Sequence, residues 1–364
     1  MSILFDIFHT IQSSLFPWLE EELDPLTDKE QEFVRVISLI DLEKNMTQYH
    51  WYGRGRKPKD RVSIAKAFIA KSVYNFETTD ILIEYLRGCK NLRRLCGWEY
   101  SRNVPSKSTF SRAFSEFAVG SLGEIIHEAM VKEHLGDKLA GHISRDSTAI
   151  QAREKPVKSK KTCKDKPKRK RGRPRKGEKV PPKPPKKLDL QPKRSLKQNL
   201  DDLPTHCNVG TKKNSKGYKE SWTGYKLHLD CIDGDIPVSA ILTSASLHDS
   251  QAAIPLAQMS SERITSLYDL MDAAYDAPQI HAFSESLGHK PIIDNNPRRG
   301  EKVHMDPATF KRFGQRSSVE RINGYLKDNY GGRTVRVRGH AKVMTHLMFG
   351  IIAITASQLF RLLT

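Results

Sequence analysis

The sequence predicts an α/β protein in which a mixed sheet flanked by helices spans residues 137–364. An all-helical domain precedes it over residues 1–136, and a disordered basic insert interrupts it over residues 154–204. Three observations support this division. Apolar residues recur at helical spacing in the first third, whereas strand-length apolar runs alternate with helical segments after His142. The insert is rich in lysine, arginine and proline, so it buries too little apolar surface to offset its ordering entropy.

The charge of the chain indicates a polyanionic partner. The formal net charge is +19 and the isoelectric point is near 9.6. Residues 153–200 contain 21 Lys plus Arg against 4 Asp plus Glu, so this stretch carries most of the excess. Such a concentration favours nucleic acid over a membrane surface.

The cysteines and the two ends of the chain favour a reducing compartment. Five cysteines without any CxxC pair predict neither a disulfide framework nor a zinc site. The first residues lack the basic start and cleavage site of a signal peptide. An apolar run over residues 344–363 approaches membrane-spanning length, but it contains His346 and Gln358 and is interpreted as a buried core helix. We therefore expect a protein of a reducing compartment such as the cytoplasm.

Helix signals account for the first 136 residues. Thr27 and Glu30 form a possible capping box before an apolar-periodic run. Ser108 is the predicted cap of a later helix over residues 109–117. Further helices are predicted over residues 62–74, 79–86 and 92–96.

Three of these short helices could form a helix-turn-helix reader of the major groove. The last of them carries Ser111 and Arg112 behind Lys107, which makes Lys107 and Arg112 candidate DNA contacts. A plain helical bundle explains the same pattern, and both interpretations remain open.

The basic insert contains one short DNA-binding pattern, which resembles an AT-hook. Glycine permits close approach to the narrow minor groove, proline disfavours helix, and guanidinium groups meet the enhanced negative potential there. The alternative is a polybasic linker without minor-groove preference. The candidate residues are Arg171, Gly172, Arg173, Pro174 and Arg175.

Strands alternate with helices after the insert. A hairpin is predicted around Asp233 and Gly234, and Asp249 is a plausible cap for the helix after it. The predicted strands cover residues 143–148, 225–232, 236–243, 267–271 and 290–294, and the predicted helices cover residues 251–257 and 277–287.

The stretch FGQRSSVERINGYLK, residues 313–327, is predicted to be one helix. At about 100° per residue, four of its side chains share a face. Val319, Ile322 and Leu326 fall on a neighbouring apolar arc. The alternative is a surface helix with an ordinary charged face. The shared face consists of Phe313, Arg316, Glu320 and Lys327.

Three carboxylates form a candidate metal site. Asp146 is predicted to end the first strand, Asp272 to end the fourth, and Glu320 to lie on the helix after the fifth. Hard cations take oxygen ligands, so this set suits two Mg²⁺ ions, with Mn²⁺ tolerated. Such a pair can activate a water or 3′-OH and stabilise a leaving oxygen. Taken singly, each Asp is more often a cap or turn residue.

These motifs together resemble bacterial insertion-sequence transposases with a DDE catalytic domain on a ribonuclease-H-like fold. Within these, the chain looks like the class marked by a Tyr-Arg-Glu-Lys signature, with Phe313 at the tyrosine position and all intervals kept. Asp272 to Asp276 is similar to the Asp-x-Gly-Tyr-Asp motif, with Ala274 in place of glycine. Further similar motifs start at Asp146, Gly224 and Leu247.

The resemblance implies an activity on double-stranded DNA, a location at the nucleoid in the bacterial cytoplasm, and residue roles. Asp146, Asp272 and Glu320 would hold the metals, and Arg316 and Lys327 would contact the terminal phosphates of the element. The implied enzyme binds terminal inverted repeats, cleaves phosphodiester bonds at the element ends and joins the freed 3′-OH to target DNA, with a homodimer expected in the active complex. A catalytically silent DNA-binding protein and a stand-alone nuclease are the alternatives.

Overall fold

The structure is a computed structural model that describes residues 3–49, 51–53, 55, 57–157, 185–213, 216–297, 301 and 303–363. The AT-hook prediction falls on residues 171–175, which lie outside the described residues.

Every described regular element before residue 136 is helical, as predicted. A π-helical segment, Ile11–Leu15, joins the first two helices. The helices are α1 Ile3–Thr10, α2 Phe16–Glu22, α3 Asp28–Leu39, α4 Leu42–Asn45, α5 Arg61–Val73, α6 Thr79–Gly88, α7 Lys90–Leu95, α8 Lys107–Val119 and α9 Leu122–Leu135.

Two predicted helix starts have different outcomes. The capping box is confirmed, because the Thr27 hydroxyl accepts from the Glu30 amide while the Glu30 carboxylate accepts from the Thr27 amide at 2.8 Å. The Ser108 cap is wrong. Helix α8 begins at Lys107, and Ser106 is its N-cap residue in the extended conformation.

The remaining chain forms one mixed sheet with helices around it. Strand β3 pairs antiparallel with β1, β2 and β4, and β5 pairs parallel with β1 and β6, giving the order β2-β3-β1-β5-β6 with β4 also beside β3. The predicted hairpin is confirmed as β3 and β4. The elements are β1 Leu139–Gln151, α10 Lys187–Leu190, α11 Leu196–Asp201, β2 Asn208–Lys213, β3 Lys219–Ile232, β4 Ile236–Ser244, α12 Ser250–Ser261, β5 Thr265–Met271, α13 Pro278–Ser286, β6 Lys290–Ile293, α14 Pro307–Phe313, α15 Ser317–Asn329 and α16 His340–Arg361.

The prediction of disorder over residues 154–204 is wrong for its last 20 residues. Helices α10 and α11 pack on α12, and the Gln191 side chain donates to the Gln251 carbonyl at 2.7 Å. The buried Asn199 donates to the side-chain oxygen of Gln258 at 2.9 Å. These hydrogen bonds and the apolar contacts of Leu200 and Leu203 supply the ordering energy that the composition did not reveal.

Strand β1 is longer than predicted, so Asp146 does not end it. The strand pairs with β3 from Ile143 opposite Ile232 to Gln151 opposite Gly224, and this long ladder carries it five residues beyond Asp146. Asp272 follows β5 directly, as predicted.

The predicted helix over residues 313–327 is broken. Helix α14 ends at Phe313, a 3₁₀ turn covers Gly314–Arg316, and α15 begins at Ser317. The Ser144 hydroxyl of β1 donates to the Gln315 carbonyl at 3.2 Å. This hydrogen bond joins the turn to the strand. The apolar arc is confirmed, since Val319, Ile322 and Leu326 are buried.

Helix α16 is the core helix that its sequence predicted. It is long and apolar enough to cross a membrane, yet 94% of its apolar window is buried inside the protein. It packs against α3, α5, α8, α9 and β4. The helical bundle and the sheet therefore share one continuous core.

Candidate active site

Two carboxylates lie side by side on neighbouring parallel strands. Arg145 of β1 pairs with Met271 of β5, so the next residue in each chain segment, Asp146 or Asp272, occupies the same level of the sheet. Both side chains are partly exposed. The Asp272 carboxylate accepts from the Ala274 amide at 2.9 Å, which fixes the turn after β5.

The surroundings hold both carboxyl groups closer to protonation than usual. Burial, with the charges of Asp272 and Asp249, raises the pKa of Asp146 to about 7. Burial, with the charges of Asp249 and Asp294, also raises the pKa of Asp272. Arg316 opposes the shift at both sites. The site thus concentrates negative charge that a cation would relieve.

Arg316 extends from the 3₁₀ turn towards this charge. It forms an ion pair with Glu320 one turn further along. Its guanidinium also lies over the Phe313 ring, 5.7 Å from the ring centroid. The structure therefore brings together three of the four residues of the predicted face, through a turn instead of a continuous helix.

Glu320 contacts Arg316, and its side chain is half exposed. Among the described residues, no group of three or more His, Cys, Asp or Glu side chains is arranged to hold a metal ion. The oxygen donors of Asp146 and Asp272, which crowd each other electrostatically, nevertheless fit a divalent cation. Glu320 is joined to this pair of carboxylates through Arg316, which pairs with Glu320 and also lowers the pKa of both aspartates.

Lys327 reaches the strand on which Asp146 lies. Its ammonium donates to the Thr148 hydroxyl at 2.5 Å. Burial lowers the pKa of Lys327, and the charges of Lys212 and Arg333 add to this effect. Asp328 and Asp146 only partly oppose this effect, so a phosphate bound at Lys327 would relieve both the burial and the repulsion.

Asp249, which was predicted to cap a helix, is a component of the site. It stands at the start of α12 but makes no capping hydrogen bond, so the predicted cap is wrong. Its carboxylate instead accepts from Ser147 at 2.8 Å and pairs with Lys226 at 2.9 Å. Although burial raises the pKa of Asp249, His228 and Lys226 lower it overall. Its presence in a motif beside His248 was the available signal.

A buried ion pair lies behind the site. Arg145 donates to both oxygens of Asp230 at 2.8 and 2.6 Å, and both side chains are almost fully buried. Ser260 adds a third hydrogen bond to Asp230 at 2.7 Å. Because Arg145 precedes Asp146, this pair fixes the strand under the candidate site.

The two candidate DNA contacts of the helical domain lie on the exposed side of α8. Lys107 pairs with Asp80 of α6 at 2.5 Å, and Arg112 donates to the Ser108 carbonyl at 3.4 Å. Exposed side chains here fit a helix-turn-helix that contacts the major groove, and they fit the surface of a helical bundle equally well. The helix-turn-helix therefore stays a prediction.

An antiparallel hairpin beside parallel strands, with carboxylates on the central pair, is typical of a DDE catalytic domain. Residues 201–356 match the family model of the Transposase DDE domain, and residues 21–116 match the Transposase domain (DUF772). No curated protein and no solved structure matches the chain significantly. The two matches support an insertion-sequence transposase, and the DDE domain implies the ribonuclease-H-like fold.

The matched regions contain part of the candidate site. Asp272, Arg316, Glu320 and Lys327 lie within the DDE match, and Asp146 precedes it. Lys107 and Arg112 lie within the DUF772 match. The Tyr-Arg-Glu-Lys signature is not part of either description and remains a prediction.

Proposed function

We propose that the protein binds the terminal inverted repeats of a bacterial insertion sequence, cleaves phosphodiester bonds at its ends and joins the freed 3′-OH to target DNA. The observation that carries the proposal is the placement of Asp146 on β1 beside Asp272, which directly follows β5, with Arg316 close to both. The active complex is a homodimer on DNA in the bacterial cytoplasm.

Asp146, Asp272 and Glu320 would hold divalent cations, with Mg²⁺ or Mn²⁺ as the cofactor. When bound, these ions supply activation of the attacking oxygen and stabilisation of the leaving oxygen. Burial and the charges of Asp272 and Asp249 raise the pKa of Asp146, and a bound cation would relieve that concentration of negative charge, which supports this assignment.

Arg316 and Lys327 would position the DNA. The guanidinium can release Glu320 and donate to phosphate oxygens as two parallel hydrogen bonds, which fixes the orientation of the scissile bond. Lys327 already points towards the Asp146 strand through Thr148. Phe313 has no hydroxyl to bond a phosphate, so its ring would pack beneath Arg316.

The test is cleavage and strand transfer on labelled DNA that carries the element's own termini. Glu320→Gln and Asp272→Asn should each lose metal-dependent cleavage while still retarding the DNA in a gel. Glu301→Gln, an exposed change outside the proposed site, is the control and should cleave normally. Undiminished cleavage by the Glu320 and Asp272 variants would disprove the assignment.

A further inference from the structure

A cavity of about 510 Å³ lies between the helical bundle and the chain around the start of α16. Its inner wall comes from α5 and α8, within the DUF772 match, and its other wall comes from residues 336–349, within the DDE match. Six cationic side chains and two carboxylates line it. The cations are Lys71, Lys107, Arg153, Arg336, Arg338 and Lys342.

Lys71 is the cation at the inner wall, and its side chain is only 9% exposed. It forms no hydrogen bond or ion pair with the described residues. Burial lowers its pKa to about 8, and the charge of Glu77 only partly compensates. The stem of Lys71 is buried, and its ammonium lines the cavity without a bonded partner among the described residues, so it is available to an anion that enters the cavity.

The other polar groups that line the cavity do not neutralise the charge of Lys71. The two carboxylates are already engaged, Glu77 with Arg336 at 3.1 Å and Asp80 with Lys107 at 2.5 Å. Burial and the charge of Lys71 lower the pKa of His346 to about 4, so this ring is neutral at pH 7.

Three cations at the mouth extend this charge to the surface. Arg153, Arg338 and Lys342 form no ion pair within the described part of the chain, and the two arginines are exposed. Arg153 lies seven residues after Asp146, so their main-chain positions are at most about 25 Å apart. Duplex DNA rises 3.4 Å per base pair, so roughly seven base pairs span that distance.

We propose that this cavity binds a phosphate of the DNA backbone, with Lys71 as the inner ligand and Arg153, Arg338 and Lys342 at the mouth. The inference rests on the proposed function in one respect, since it assumes that DNA lies across the candidate active site. The cavity would then hold the strand at the junction of the two matched domains, within about seven base pairs of the scissile bond.

The experiment measures binding of the full-length protein to a 40-base-pair duplex in EDTA, over a range of salt concentrations. Lys71→Met retains the apolar stem and removes the charge. Its slope of log affinity against log salt should be smaller by about 1, and its affinity should fall on all sequences alike. Arg338→Gln, at an exposed position, should act in the same direction, and thermal melting confirms that both variants fold.

Lys66→Met is the matched control, because Lys66 is on the same helix but lines a different cavity. It should keep the wild-type slope. An unchanged slope in folded Lys71→Met and Arg338→Gln would overturn the proposal. Equilibrium dialysis with inorganic phosphate separates the sources: uptake that Lys71→Met abolishes, beside an unchanged DNA slope, would assign the cavity to a free phosphate compound and overturn the DNA assignment.

EDTA keeps this test independent of catalysis. A chain that binds DNA without cutting it would still show the loss of slope, so failure of the proposed function leaves this result interpretable. Conversely, if Lys71→Met cleaves normally and keeps the wild-type salt slope, the cavity does not bind DNA and the transposase assignment still stands.

Discussion

At the residue scale, Arg316 links the parts of the candidate site. It pairs with Glu320, lies over Phe313 and lowers the pKa of both Asp146 and Asp272 against the effect of burial. A side chain that compensates two carboxylates and pairs with a third controls the charge balance of the whole site.

Replacing Arg316 by alanine should reduce end cleavage by about 100-fold, because one preorganised charged donor at a developing charge contributes on that order. The measurement is the single-turnover cleavage rate on a labelled end. Lys311→Ala, an exposed cation on α14, is the control and should cleave at the wild-type rate. Equal rates for both variants would leave Arg316 as ordinary surface charge.

The buried ion pair between Arg145 and Asp230 contributes to the stability of the fold. Asp230→Ala leaves a 1% exposed guanidinium without its partner, so we expect a loss of about 3–5 kcal/mol in the free energy of unfolding. Urea unfolding measures it. The double variant Arg145→Met, Asp230→Leu should recover much of the loss, and a cost below about 1 kcal/mol for the single variant would contradict the prediction.

At the element scale, the β3–β4 turn is tied to α15. Arg321 of α15 donates to both oxygens of Asp235 at 2.8 and 2.6 Å. Asp235 has a φ of 59°, in the left-handed region that Asp and Asn tolerate. Helix α15 carries Glu320 and Lys327, so this contact fixes its position relative to the sheet.

Asp235→Asn should cost about 1 kcal/mol at pH 7, a modest value because Arg321 is half exposed. Although burial raises the pKa of Asp235, hydrogen bonds from Arg321 and Ser318 lower it overall. A lowered pKa stabilises the fold above the unfolded value near 3.9, and that stabilisation is lost as pH falls through the folded pKa. Urea unfolding should therefore show a difference that shrinks below about pH 4; a difference constant from pH 3 to 7 would contradict it.

The sequence was informative about elements and less so about their ends. The spacing of apolar residues and the turn residues predicted the helical bundle, the hairpin, β5 and the buried face of α15. Each of these follows from a local sequence pattern. The turn before Ser317 contacts Ser144, which is 171 residues from Gln315 and so gives no local signal in the sequence. Asp249 likewise joins the site through Ser147 and Lys226, contacts that only the folded sheet creates.

Helices α10 and α11 had a local signal that composition masked. Ser195 and Gln198 form a reciprocal capping box, a pattern visible in the sequence. The surrounding lysines and prolines favoured disorder, whereas Leu200 and Leu203 bury against α12 and β4. Average composition over 50 residues therefore obscured a 20-residue segment with its own helix start and apolar face.

At the whole-molecule scale, α16 joins the helical bundle to the sheet, and the cavity at Lys71 lies along this junction. DNA contacts in the bundle and chemistry on the sheet would thus be held in one rigid core. The charge of the chain is distributed differently: residues 158–184 contain 14 Lys plus Arg and 2 Asp plus Glu, which is +12 of the net +19.

Replacing residues 158–184 by a Gly/Ser segment of equal length should lower the salt slope of nonspecific DNA binding by several units. The upper limit is roughly 12, for a chain in which nearly every cation meets a phosphate at about 0.9 per contact. The replacement stops at residue 184 because α10 and α11 pack on α12. Melting should be unchanged, and an unaltered slope would show that the segment does not contact DNA.

A narrower variant separates the AT-hook from general charge. Changing Arg171, Arg173 and Arg175 to serine removes three of these 14 cations, so most of the salt slope should remain. Minor-groove binding depends instead on guanidinium groups in the narrow A·T-rich groove, so the preference for A·T-rich over G·C-rich duplexes should disappear. Replacing Lys158, Lys160 and Lys161 by serine removes the same charge outside the motif and should keep the preference. Loss of preference in both variants, or in neither, would contradict an AT-hook.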